Sequence, residues 1–111
     1  MAANEIHIGD TGTRFTWTIK DQDENIVDIS GATTLSGLFL APDGGLLTKD
    51  CMPGGVGNFV TDGTDGQFYY VTLVGDIDEK GVWSDQGYVV LPSGAWHSDI
   101  ATWTAYANLT A

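Results

Sequence analysis

The chain has a single cysteine, Cys51, so no disulfide closes within it and its stability has to come from packing. Standing beside Met52, that thiol reads as a small buried hydrophobe rather than a nucleophile. Positive charge is almost as scarce: Arg14, Lys20, Lys49 and Lys80 face 15 acidic residues, for a formal net charge of −11. A surface this acidic repels phosphate backbones and anionic bilayers, so neither nucleic acid nor a membrane is expected as a partner. No apolar run approaches the length of a membrane span. The opening Met1-Ala2-Ala3-Asn4-Glu5 has neither the cationic nor the apolar region of a secretory signal, so synthesis in the cytoplasm is expected. Only three prolines are present, against 15 glycines placed between short apolar runs, a composition suited to frequent tight turns.

What is there reads as β-structure from end to end, in one domain over residues 1–111. At this length a chain buries roughly two-thirds of its unfolded surface, and 42% hydrophobic residues with four Trp, four Tyr and four Phe supply a core. Glu5-Ile6-His7-Ile8 forms a short opening strand. Residues 13–20 alternate cleanly, with Phe15, Trp17 and Ile19 on one face and Arg14, Thr16, Thr18 and Lys20 on the other. Ile26 to Ile29 reads as a strand after the polar turn Asp21-Gln22-Asp23-Glu24-Asn25. Residues 33–41 carry Leu35, Leu38 and Leu40 into the turn Pro42-Asp43-Gly44-Gly45. Leu46 to Met52 returns and is closed by Pro53-Gly54-Gly55. Asn58 to Thr61 follows, and residues 67–74, apolar on both faces, suit a central strand. Residues 82–91 and 99–107 are the last two, joined by Pro92-Ser93-Gly94-Ala95. Seven to nine short strands at this spacing predict an immunoglobulin-like antiparallel β-sandwich. Its expected core is Phe15, Trp17, Ile19, Leu38, Leu40, Phe68, Tyr70, Trp83, Val89 and Trp103. Asp78, Gly81 and Trp83 stand where an acidic residue, a glycine and an aromatic lock the corner before the penultimate strand of such domains.

Candidate chemistry fails position by position. Asp21-Gln22-Asp23-Glu24-Asn25 opens like a calcium loop, but Ile26 and Ala32 stand where an EF-hand needs Gly and Glu. Asp76, Asp78 and Glu79 cluster on a glycine-flanked turn, where carboxylates are normally solvated rather than paired as acid and base. Trp96-His97-Ser98-Asp99 has the residue types of a hydrolase triad, yet extended backbone sends His97 and Asp99 to one face and Ser98 to the other. No phosphate loop, C-x-x-C or H-E-x-x-H occurs. The sequence therefore predicts no catalytic residue, no metal site and no cofactor. A carbohydrate-binding reading survives in the tryptophans: Trp17 and Trp83 sit within strands as core residues, and Trp96, next to a turn, is the candidate for exposure to sugars. The short strand at Ile6, His7 and Ile8, guarded only by Glu5 and Asp10, is a candidate edge for docking another chain.

Several strings carry a resemblance. Asp10-Thr11-Gly12-Thr13 leading to Thr18-Ile19-Lys20-Asp21-Gln22-Asp23, then Val27-Asp28-Ile29-Ser30-Gly31-Ala32, then Ala41-Pro42-Asp43-Gly44, are followed in order by Gly75-Asp76-Ile77-Asp78, Gly81 to Tyr88, and Ala95 to Asp99. Over roughly residues 6–107 this set resembles the N-terminal domain of phage upper baseplate proteins, an immunoglobulin-like module that recurs in tail-fibre and other virion proteins. The resemblance implies a non-enzymatic structural or adaptor role in a bacteriophage virion, in the baseplate or tail-fibre apparatus, with other virion proteins as partners and no catalytic residues to carry over. It also leads to the expectation of symmetric copies, a trimer or hexamer rather than a lone monomer. Two departures bear on it. Leu47 to Val60 has no counterpart, and the sequence stops at Ala111 where the baseplate proteins continue into a linker and a receptor-side domain. Capsid decoration is therefore the competing place in the particle.

Overall fold

A computed structural model describes residues 6–52 and 57–107. The strands are β1 Ile6–His7, β2 Arg14–Thr18, β3 Thr34–Leu40, β4 Leu46–Asp50, β5 Gly57–Phe59, β6 Gln67–Val71, β7 Gly81–Leu91, β8 Gly94–His97 and β9 Ala101–Tyr106. They form two sheets. One runs β1-β9-β7-β3-β4 with β8 added on β7, and the other runs β2-β6-β5. With β2, β6 and β5 on one sheet and β9, β7, β3 and β4 on the other, this is the Greek-key order of an immunoglobulin-like sandwich. One pairing departs from the expected antiparallel pattern. β1 runs parallel to β9, with Ile6 opposite Ala105 and His7 opposite Tyr106.

The layers meet on an aromatic seam. Trp17 from β2 lies 5.3 Å from Phe68 and 5.9 Å from Phe39, and Phe15 lies 5.1 Å from Phe39 and 5.2 Å from Trp103. Room for the Trp17 indole comes from two glycines that face each other across β3 and β7, Gly37 and Gly87. A Cβ on Gly37 would stand 2.6 Å from the Trp17 ring, and one on Gly87 would stand 2.8 Å from its Cβ and Cγ. At the corner before β7 Trp83 takes the expected place, while Asp78 is exposed and the bonded carboxylate is Asp76. Trp83 is buried, its Nε1 donates to the carbonyl of Glu79 at 2.9 Å, and its ring stacks on Trp103 at 5.3 Å. An indole thus makes the backward bond that a tyrosine makes at the same corner in related sandwiches.

Several expectations are corrected. The buried face of β3 is Leu35, Gly37 and Phe39; Leu38 is half-buried on the other face and Leu40 is 44% exposed. The mismatch has a physical cause: the inward glycine leaves a gap in the apolar alternation that Trp17 fills from the opposite sheet. Phe15 and Trp103 are half-buried and pack against the core without being sealed in it. Ile26 to Ile29 makes only a single bridge, Ile26 to Lys20, because Val27 and Ile29 donate to Ile19 and Gly63 at a bend rather than to a neighbouring strand. Leu73 and Val74 leave the sheet and are exposed. The expected last strand appears as β9, but the segment joining it to β7 is itself part strand: β8 pairs the far half of β7, and β9 pairs its beginning. The turn at Pro53-Gly54-Gly55 and the guard Glu5 lie outside the described residues.

Candidate functional site

A concavity of about 400 Å³ opens where the edge of β2 meets the break between β8 and β9. Thr16, Thr18 and Lys20 form one wall and His97, Ser98 and Asp99 the other, with Trp17 and Asp85 among its lining. Asp85 is 6% exposed, an inward carboxylate in β7, and accepts a hydrogen bond from Trp17 Nε1 at 2.8 Å. Burial raises its pKa, and the Trp17 indole N–H offsets part of the rise. The Trp103 indole is near enough to contribute in the same direction, but its buried Nε1 closes no hydrogen bond of normal geometry.

The triad-like string beside Asp85 is taken apart by the fold. Ser98 is buried, accepts from the Gly87 amide at 2.7 Å and donates to the Asp99 carbonyl at 3.0 Å. His97 is exposed and packs against Tyr88, with ring centroids 4.6 Å apart. Ser98 thus bridges the β8–β9 break to β7, its hydroxyl bonded to main-chain groups and its carbonyl accepting from Gln86 Nε2 at 2.9 Å. Cys51 is equally unsuited to nucleophilic work: it is fully buried, and burial, with Asp50 nearby, pushes its thiol up to about 12.

Of the two acidic turns, one behaves as predicted. Asp21 Oδ1 accepts from the amides of Asp23 and Asn25 at 2.9 and 3.0 Å, an Asx turn that lets Glu24 adopt a φ of 63°. The other does not, because Asp76 is not a solvated turn carboxylate. It accepts from Tyr70 Oη and from the Leu73 amide, and it pairs with Lys49 Nζ at 2.9 Å. Burial would raise its pKa, but the Leu73 amide, Tyr70 and Lys49 together outweigh that and hold it below the usual carboxylate range. Among the described residues no cluster of three or more His, Cys, Asp or Glu is placed to hold a metal ion.

The predicted interaction residues fall at opposite ends of β7. Ile6 and His7 form the outermost strand of the larger sheet, Ile8 donates to the Tyr106 carbonyl at 3.0 Å, and His7 lies 6.0 Å from the Tyr106 ring. Asp10 accepts from the His7 amide at 2.9 Å and so tightens the turn after β1. Trp96 pairs with Val89 at the far end, half-buried, its ring lying over Gly94. The sequence reading missed two features. One is Asp85, whose signal is a carboxylate in the inward register of Trp83, Gly87 and Val89. The other is the outer face of the larger sheet, where Leu38, Leu40, Leu46 and Ile100 line a shallow depression of about 300 Å³.

No family model, no curated protein and no solved structure matches this chain.

Proposed function

We propose that this protein is a non-enzymatic assembly module of a bacteriophage virion, seated in the baseplate or tail-fibre apparatus and held by protein–protein contacts. One observation supports the non-enzymatic part: three of the groups that could do chemistry are bonded within the fold. Asp85 accepts from Trp17, Ser98 bonds Gly87 and Asp99, and Asp76 takes Tyr70, Leu73 and Lys49. A hydroxyl or carboxylate bonded on these sides to its own frame serves as a strut, which supports a structural role for these three side chains. The virion part rests on the ordered strings from Asp10 to Asp99 and on the two-sheet sandwich that they build.

Mass spectrometry of gradient-purified particles, from a phage whose genome encodes this chain, tests the proposal. The chain is expected among the virion proteins at a copy number in whole-number ratio to a tail component. A ratio to the major head protein would move it to capsid decoration, and absence from the particle would contradict the reading.

A further inference from the structure

The outer face of the larger sheet differs from the rest of this acidic molecule. Of 15 acidic side chains in the chain, only Asp50 stands at an outward position of β3, β4, β7 or β9. No lysine or arginine stands there among the described residues. Lys49, the only cation within these strands, turns inward to Asp76. The outward positions hold threonine, serine, glutamine, tyrosine and aliphatic residues instead. Leu46 is 66% exposed, Ile100 65%, Val82 61% and Leu40 44%, and the leucines of β3 and β4 meet as cross-strand neighbours, Leu40 opposite Leu46. Leu38, Leu40, Leu46 and Ile100 line one continuous depression with Ser84, Gln86 and Asp85, whose carboxylate is turned inward to Trp17. Depletion of charge around an apolar centre with a polar rim is the composition of an interface core.

We infer that this face pairs with the same face of a second copy, in a two-fold dimer. The inference deepens the assembly reading above by naming the surface and the partner. Charge selects the occupant. A cationic partner would seek carboxylates, and these lie elsewhere on the molecule. What complements an uncharged apolar face is another such face, and a second copy presents one, which also satisfies the self-complementarity of an isologous contact. The geometry keeps like charges apart, because pairing through this face leaves the acidic turns at the rim, where salt screens them over roughly 8 Å. The size is adequate: roughly 35 residues in six strands, at ~3.3 by ~4.8 Å each, give roughly 550 Å² of flat sheet before side-chain relief, on the order of the ~800 Å² per partner of a standard interface.

Sedimentation velocity across a concentration and salt series tests this on the whole chain. A species of twice the chain mass is expected, and its dissociation constant should tighten as salt rises because like-charge repulsion is screened. The double variant Leu40→Lys/Leu46→Lys places charge at two exposed positions and should weaken the dimer by at least about tenfold, with circular dichroism and melting unchanged. Thr16→Lys, on the opposite sheet, should leave the dimer as it was. A monomer at every concentration and salt overturns the inference, as does a dimer indifferent to the leucine changes, which would be built on a strand edge. Neither of those outcomes alters whether the chain is found in the particle.

Discussion

Trp83 joins three constraints in one side chain: burial, a stack on Trp103, and a bond to the Glu79 carbonyl that fixes the corner before β7. Trp83→Ala is expected to cost about 3–5 kcal/mol, the range for deleting a large buried aromatic, read from urea unfolding. A loss below about 1 kcal/mol would mean that the corner does not depend on it. Two carboxylates make opposite predictions for pH. Asp85 has a raised folded pKa, so the folded state holds its proton more tightly than the unfolded chain does. Stability from this group falls as pH rises from the ordinary carboxylate range through the raised folded value. Asp85→Asn keeps an acceptor for Trp17 and removes the charge, so it should be at least as stable as the parent at neutral pH and should lack that decline. Asp76 has a lowered folded pKa. Its contribution is present above the ordinary carboxylate range and is lost as pH falls through the folded value. Asp76→Asn should therefore lower stability at neutral pH and flatten the acid limb. Unfolding midpoints for the three proteins between about pH 3 and about pH 8 decide both, since each sign follows from linkage alone.

At the scale of elements, β3 and β7 are joined through the facing pair Gly37 and Gly87, whose missing side chains admit Trp17. Gly37→Ala and Gly87→Ala should each cost about 1–3 kcal/mol by overpacking. Combined with Trp17→Phe, the cost of Gly37→Ala should shrink, because the smaller ring vacates the space at 2.6 Å; a double-mutant cycle without coupling would contradict this. The same pair explains what was legible in the sequence and what was not. β2 was readable because Phe15, Trp17 and Ile19 alternate with polar residues and its own side chains fill its own face. β3 was not, because Leu-Ser-Gly-Leu-Phe-Leu has its gap where a residue 20 positions earlier in the chain packs, so the apparent stripe of Leu38 and Leu40 belongs to the outside. The corner at Trp83 was legible from local spacing. Asp76 was not, since its partners Lys49 and Tyr70 arrive from two other strands. β8 was hidden because its first residues stand where Pro92-Ser93-Gly94-Ala95 reads as a turn, and Ser98, which bonds Gly87 just after it, looks in sequence like part of a reactive string.

At the scale of the whole molecule, charge and apolar surface are segregated. The turns carry most of the acidity, the larger sheet turns an almost uncharged face outward, and Asp85 and Ser98 are bonded internally. On the proposed reading, this segregation repels casual contacts and leaves one side for a partner. Trp96, lying over Gly94, contributes to packing at the far end of β7, so Trp96→Ala should lower the melting temperature without changing retention on immobilised glycans; loss of glycan retention with unchanged melting would favour a sugar-binding role. The central claim is that this is a virion assembly module working through its surfaces, and a cryo-EM map of the parent phage particle tests it most directly. The account predicts density for this sandwich at the tail, in symmetric copies, with the Leu38, Leu40 and Leu46 face of each copy against protein. A particle that lacks the sandwich, or one that holds it with every face in solvent, would contradict it.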